Sequence, residues 1–212
     1  MNQQQEQLEA IREIRSLMER SSRFLSLSGL SGVIIGLLAL AGVAAAYVFL
    51  GMSPAEPGYH QYATDALGVP DAAFYRFFLA DALIVLALSL LTGSLMAARK
   101  ARKLRQPAWD GAARRLLVNL AIPLVAGGLY CLILLYHGQF RLVAPATLLF
   151  YGLALLNAGK YTIDDLRYLG ILIILTGLAA SLFADYGLLF WGFGFGLLHI
   201  AYGIVIHYRY ER

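Results

Sequence analysis

The sequence predicts an all-α membrane protein, a polytopic bundle of six transmembrane helices preceded by an N-terminal amphipathic helix. Hydrophobic residues make up 59% of the 212 positions and charged residues only 14%, whereas soluble domains carry about 25% charged residues. Several apolar runs reach the roughly 20 residues that a helix needs to cross a bilayer. The basic residues lie between these runs, at the ends of the predicted helices.

Residues 1–23 form the predicted amphipathic helix. Over residues 5–23, apolar side chains cover roughly half of the helical wheel and charged side chains the other half. Such a helix can lie along the membrane surface or pair with a partner helix. We favour the surface position, although the mixture of Glu and Arg attracts anionic lipid less strongly than a purely basic helix would.

The transmembrane domain covers residues 24–212. The predicted spans, numbered 1 to 6, are 24–50, 74–98, 116–136, 141–158, 166–184 and 188–207. The longest loop, residues 51–73, joins spans 1 and 2 and contains three prolines but no Lys or Arg. Tyr59, His60 and Tyr62 in this loop either cap an outward-facing cavity or anchor the loop at the membrane interface. We favour the interfacial anchor.

The placement of basic residues predicts the orientation. Fifteen of the seventeen Lys and Arg residues fall near the chain termini and in the loops after spans 2 and 4, which share one side of the membrane. Arg76 and Arg141 fall on the other side. Because Lys and Arg mark the cytoplasmic side, both termini are predicted to be cytoplasmic. This placement also explains the net charge of +4 without a nucleic-acid partner.

Asp81 lies inside span 2, where a carboxylate is costly unless it is paired, protonated or hydrated. It is therefore a candidate ion or proton site. The alternative is a structural ion pair with Arg76 or Arg141, which lie near the same membrane surface. The sequence does not decide between these two interpretations.

Span 6 carries a stripe of small residues with a histidine on it. The spacing of Gly192, Gly196, His199 and Gly203 places them on one helix face. Small residues let helices approach closely in a membrane, so this face is predicted to contact protein, and such faces could also hold a protein partner or a second copy. His199 is either a functional ionisable group or a neutral imidazole bonded to a neighbour, and we favour the latter.

Spans 5 and 6 are predicted to be among the most tightly packed pairs, since Gly177 of span 5 stands level with the glycines of span 6. Span 5 offers no polar side chain at the depth of His199. The hydrogen bond to His199 should then come from another helix, from its own backbone or from water. We expect span 1 to share the His199 face through Gly32 and Gly36.

Spans 3 and 4 each carry an asparagine. Counting from the short turn between these spans places Asn119 and Asn157 at nearly the same depth. We expect them to form a structural clasp between the two helices, and the alternative is a polar binding site. Pro123 cannot donate a backbone hydrogen bond to the Asn119 carbonyl, so a kink is predicted there.

No catalytic residue, metal site or cofactor is predicted. The sequence lacks the motifs of zinc proteases, α/β-hydrolases and P-loop proteins, and His199 has no histidine partner at its depth for a haem. The candidate binding residues combine the polar groups of the spans with two tyrosines that precede glycines. They are Asp81, Asn119, Tyr151, Asn157, His199 and Tyr202.

Three segments resemble an uncharacterised family of small bacterial integral membrane proteins. They are IREIRSLMERSSRFLSLSGLSGV (11–33), KYTIDDLRYLG (160–170) and LLFWGFGFGLLHIAYGIVIHYRYE (188–211). The family has no established activity, so the resemblance implies a protein of the bacterial inner membrane and no particular reaction.

Two functional hypotheses follow from these residues. The first is a non-catalytic membrane protein that acts through protein or lipid partners. The alternative is a transporter or channel for a small solute or ion that uses Asp81 and His199. A polar cavity reaching either residue would favour the transporter, whereas a dry, well-packed interior would favour the partner-binding protein.

Overall fold

The computed structural model describes residues 28–65, 67–103, 105 and 109–210, and it confirms the predicted fold class. Within this part of the chain, six helices are long and apolar enough to cross a membrane. The predicted amphipathic helix of residues 1–23 and the first residues of span 1 lie outside the described residues. The helices are α1 (Gly29–Leu50), α2 (Ala72–Lys103), α3 (Gly111–Tyr136), α4 (Phe140–Tyr161), α5 (Asp165–Leu182) and α6 (Ala184–Tyr210).

Several helices extend beyond the predicted spans, and the extensions of α2 and α3 have local reasons. α2 continues to Lys103, because basic side chains are favourable in the last turn of a helix. α3 begins at Gly111, where the Asp110 side chain accepts a hydrogen bond from the Ala113 amide at 2.7 Å. An aspartate in this position satisfies an amide that the first helical turn leaves unpaired.

The bundle is built on two closely packed helix pairs. α1 packs along α6, and α4 packs along α5. Contacts of α6 with α4 and α5 join the two pairs. The main core lies between α3, α4 and α5, around the fully buried Leu148 and Ile173. α2 packs chiefly on α1, and α3 on α4, so α2 and α3 lie at the edges of the bundle.

Glycines bring α1 and α6 into backbone contact. A Cβ added to Gly203 would lie 2.5 Å from the Gly29 carbonyl oxygen, and a Cβ added to Gly36 would lie 2.6 Å from the Gly196 carbonyl oxygen. A side chain at either position would force the close-packed backbones apart. The glycine face of span 6 therefore contacts span 1, as expected, and is occupied within the chain.

The predicted tight pairing of spans 5 and 6 is wrong, because α5 packs far more closely on α4. A Cβ on Gly177 would lie 2.9 Å from the Leu149 side chain of α4, and a Cβ on Gly152 would lie 2.8 Å from the Gly170 carbonyl oxygen. The turn between spans 5 and 6 fixes the depth of Gly177 but not the direction in which its helix face points.

The two ends of the bundle differ in charge. One end, which we call the basic end, carries most of the described Lys and Arg residues, among them Arg99, Arg115 and Arg209. The other, the loop end, carries residues 51–71 and the turns that precede α4 and α6. There a 3-10 helix, Tyr59–Ala63, folds over the bundle and packs against aromatic side chains of α2 and α4.

Candidate functional site

Both ring nitrogens of His199 are hydrogen-bonded. The Tyr151 hydroxyl lies 2.9 Å from Nε2, and the Gly194 carbonyl oxygen lies 3.0 Å from Nδ1. Because a carbonyl oxygen only accepts, Nδ1 carries the proton and donates to Gly194. Because burial away from water favours the neutral ring over the charged one, Nε2 is unprotonated and accepts from Tyr151. The side chain, in a residue only 4% exposed, is thus the neutral, bonded imidazole that we favoured from the sequence.

The backbone that precedes His199 is irregular, which the sequence analysis did not predict. Residues Gly192–Leu197 form π-helical turns, and the Leu198 amide bonds to the Phe193 carbonyl. A return from π-helical to α-helical bonding skips one carbonyl of the backbone ladder. The Gly194 carbonyl is next in line, and it accepts the hydrogen bond from His199 Nδ1. The side chain therefore stabilises the irregular turn.

Aromatic rings enclose the contact between Tyr151 and His199. The Phe195 ring stacks on the imidazole with its centroid 6.1 Å away, and its centroid lies 4.9 Å from that of the Tyr151 ring. The Trp191 ring covers Phe195 at 4.7 Å. Two cavities open at the loop end of the bundle, and neither is lined by Tyr151 or His199. The pair is a packed polar contact with its hydrogen bonds satisfied.

Tyr202 does not take part in this contact. It lies on α6 and packs against the core between α3, α4 and α5. Its hydroxyl is buried and has no hydrogen-bond partner within the described part of the chain.

The predicted clasp between Asn119 and Asn157 is confirmed. Nδ2 of Asn157 donates to the Asn119 main-chain carbonyl at 2.9 Å and lies 3.3 Å from Asn119 Oδ1. The Asn119 side chain donates to the Arg115 carbonyl at 2.8 Å, and Lys160 Nζ lies 3.5 Å from Asn157 Oδ1. These bonds hold α3 against α4 near the basic end.

Asp81 has no comparable partner. Arg76 Nε donates at 3.1 Å to a carbonyl in the first turn of its own helix, and the Arg141 guanidinium lies 3.6 Å from Asp185. The proposed pairing of Asp81 with either arginine is therefore wrong, since equal depth did not bring the side chains together. Both carboxylate oxygens of Asp81 instead face Gly42 of α1, 3.2 Å from where its Cβ would lie. No donor among the described residues reaches them.

The surroundings of Asp81 combine small residues of α1 with Val85 of its own helix, whose Cγ2 would lie 2.8 Å from a Cβ on Gly42. Asp81 is partly exposed, and α2 is exposed along most of its length. On α1, the residue just before Gly42 and the residue three positions after it share one side of the helix. They are Ala41 and Ala45, and both are exposed. We define the Asp81 groove as the surface formed by Ala41, Gly42, Ala45 and Asp81.

Asp81 and His199 belong to different parts of the bundle. Asp81 reaches from α2 to α1, whereas His199 reaches from α6 to α4. α1 packs between α2 and α6. The two ionisable residues of the transporter hypothesis therefore do not line a common site.

Two features of the structure were not predicted from the sequence. The π-helical turns carry a signal in GFGFG (192–196), because glycines at alternate positions cannot share one face of a regular α-helix. The approach of Arg141 to Asp185 carries no local signal, since each residue lies at the start of a different helix and only the packed bundle brings the two helix ends together.

Residues 28–65, 67–103, 105 and 109–210 contain no group of three or more His, Cys, Asp or Glu side chains that could hold a metal ion. No protein-family model matches the sequence. No curated protein and no solved structure shows significant similarity to it. Function must therefore be inferred from the residues of this chain.

Proposed function

We propose that this protein is a non-catalytic component of the bacterial inner membrane that binds a transmembrane helix of another protein in the Asp81 groove. The partner helix carries a basic side chain at the depth of Asp81. The observation that supports this proposal most directly is the Asp81 carboxylate, which lacks a partner among the described residues.

The energetic argument begins with the depth of Asp81. It lies nine residues after Ala72, the first residue of α2, which corresponds to about 14 Å along the helix axis. An ionised aspartate at the centre of a transmembrane helix costs about 2.5–3.5 kcal/mol on insertion scales. A Lys or Arg on an approaching helix would offset this cost, because it supplies both a charge and hydrogen-bond donors.

The shape of the groove supports a helix as the occupant. Small side chains let a second backbone approach closely, and Ala41 and Ala45 are exposed on α1, the helix that the Asp81 carboxylate faces. The glycine face shared by α1 and α6 is already filled within the chain. Lipid tails could also cover the groove, but an acyl chain offers no donor to Asp81.

The alternative function is transport of a small solute or ion through Asp81 and His199. A transport route needs polar groups that line a continuous path. His199 is hydrogen-bonded on both nitrogens, and α1 packs between the helices that carry the two residues. The geometry therefore favours partner binding over transport.

The charge bias supports an orientation with both termini in the cytoplasm. Reporter fusions after residues 105, 162 and 212 should then all give a cytoplasmic signal. A periplasmic signal from the fusion at residue 162 would contradict the six-span topology.

The partner proposal can be tested with two synthetic transmembrane peptides. Each has about 22 Leu and Ala residues, and one carries a single Arg at the depth of Asp81 where the other carries Leu. Energy transfer in lipid vesicles measures their binding to the labelled protein. We expect the Arg peptide to bind about fivefold more tightly, which corresponds to a coupling of about 1 kcal/mol.

Two variants make the result specific. Asp81→Leu should remove the preference for the Arg peptide, whereas Ser89→Ala, a change in the same stripe of α2, should retain it. Equal binding of the two peptides to the unmodified protein would mean that lipid fills the groove, and it would overturn the proposal.

A further inference from the structure

A cavity of about 420 Å³ opens at the loop end, apart from the Asp81 groove. Small-molecule sites typically have volumes of about 300–1,000 Å³. The lining of this cavity is rich in side chains that can donate hydrogen bonds. These side chains belong to His60, Gln61, Thr64, Tyr75, Tyr136 and Arg141.

The loop that supplies His60 is fixed to the bundle. Tyr59 is only 3% exposed, and its ring packs beside Gly187, where a Cβ would lie 2.8 Å from the phenol oxygen. The Gly58 amide donates to the Asp185 main-chain carbonyl at 2.9 Å. His60 is therefore held at the cavity because its neighbours on the loop contact the first turn of α6.

One carboxylate holds the two basic groups of the cavity near each other. Asp185 Oδ1 lies 3.6 Å from the Arg141 guanidinium and 3.8 Å from His60 Nδ1. Both distances exceed the range of a hydrogen bond. Nδ1 of His60 is buried and has no hydrogen-bond partner in the described part of the chain. The basic groups are thus placed together while their donors stay available.

We propose that this cavity binds an oxyanion, a carboxylate, phosphate or sulfate group, between Arg141 and His60. The planar guanidinium presents five N–H donors in a fork that matches such a group, so one edge can bind the ligand while another faces Asp185. Protonated His60 supplies a second positive charge. The oxyanion can come from a soluble molecule or from the headgroup of a phospholipid at the membrane surface.

Binding should take up a proton at His60. Burial lowers the pKa of His60, Asp185 opposes this shift, and Arg141 adds to it. An anion beside the ring favours the imidazolium form, so affinity should rise as the pH falls below about 6.5, the usual pKa of histidine. The titratable or charged groups that lie around the ring and the cavity are Tyr59, Tyr75, Tyr136, Arg141 and Asp185.

The experiment uses two probes with the full-length protein in an uncharged detergent. Sulfate represents the free oxyanion, because its charge stays constant over the pH range of interest. A short-chain phosphatidylglycerol represents the lipid headgroup. Isothermal titration should show saturable binding of at least one probe, about tenfold tighter near pH 5.5 than near pH 7.5.

Three variants test the assignment. Arg141→Gln should weaken binding about tenfold or more, and His60→Gln should abolish the pH dependence. Arg76→Gln, at the same end of the bundle but outside the cavity lining, should change neither the affinity nor its pH dependence. Binding of sulfate indicates a soluble ligand, and binding of the lipid alone indicates a headgroup.

Two results would overturn the proposal. They are the absence of saturable binding with both probes, and binding that Arg141→Gln leaves unchanged. Either result would leave the proposal for the Asp81 groove untouched, because the two sites share no residue.

Discussion

The side-chain amide of Asn157 donates to the main-chain carbonyl of Asn119, and this carbonyl is the one that Pro123 leaves without a backbone donor. In a regular α-helix, the amide of residue 123 bonds to the carbonyl of residue 119. Proline has no amide proton, so α3 would otherwise contain an unpaired carbonyl inside its apolar stretch. The contact between α3 and α4 thus compensates for a gap within α3.

The first prediction concerns this compensation. Asn157→Leu is expected to lower the free energy of unfolding by about 1 kcal/mol, because the Asn119 carbonyl loses its donor. Pro123→Ala restores an amide at the position that regular helix geometry requires. The cost of Asn157→Leu should therefore be clearly smaller in the Pro123→Ala background, as measured by equilibrium unfolding in detergent. If the changes in the free energy of unfolding caused by the two substitutions are strictly additive, Asn157 does not replace the backbone donor that is missing at Pro123.

The second prediction concerns the tautomer of His199. Because Nδ1 faces the Gly194 carbonyl, nitrogen NMR of the labelled histidine in bilayers should show a protonated Nδ1 and an unprotonated Nε2. Tyr151→Phe removes the donor to Nε2, so it should shift the Nε2 resonance and lower the free energy of unfolding by about 1 kcal/mol. A proton on Nε2 in the unmodified protein would contradict the hydrogen-bond assignment.

The third prediction contrasts two glycines of α6. A Cβ at Gly203 would lie 2.5 Å from the Gly29 carbonyl oxygen, whereas the nearest atom to a Cβ at Gly192 is a Val43 side-chain carbon at 3.4 Å. Gly203→Ala should lower the free energy of unfolding by about 2 kcal/mol, since the two backbones must separate. Gly192→Ala should change it by less than about 0.5 kcal/mol. Similar losses in thermal unfolding for both variants would argue against backbone contact between α1 and α6.

The fourth prediction concerns pH. Burial lowers the pKa of His60 in the folded protein, so the folded state binds a proton there less readily than the unfolded chain does. The contribution of neutral His60 to the free energy of unfolding is fully present above the unfolded pKa of about 6.5. It is lost as the pH falls through the lower, folded pKa.

Thermal unfolding across this pH range, in buffers without oxyanions, checks the fourth prediction. His60→Gln should flatten the acid side of the profile, while His137→Gln, at an exposed turn position, should leave it unchanged. An unaltered acid slope in His60→Gln would show that another group causes the pH dependence.

The predictions from the sequence were correct for the number of helices and for the relative depth of Asn119 and Asn157. The number of helices follows from apolar runs of sufficient length, and the level of Asn119 with Asn157 follows from counting residues on either side of a turn. Both quantities depend on position along the helix axis, which the sequence determines directly.

The predictions from the sequence were wrong where the outcome depends on how a helix is rotated about its axis and on which helices pack beside it. Gly177 lies level with α6 but faces Leu149 of α4. Depth alone permits an ion pair of Asp81 with Arg76 or Arg141, one of the two interpretations left open, yet Arg141 lies beside Asp185. The rotation of each helix depends on the packing of the whole bundle, and the π-helical turns in α6 change it further.

The reciprocal exchange of charge between Asp81 and a partner helix tests the central claim most directly. In the vesicle assay, the Asp81→Lys variant should no longer prefer the Arg peptide and should instead bind a matched peptide that carries Glu at the same position. We predict that this variant binds the Glu peptide about as tightly as the unmodified protein binds the Arg peptide, within roughly twofold. If Asp81→Lys binds the Glu peptide no better than the unmodified protein does, the claim that Asp81 recognises a partner helix by its charge is contradicted.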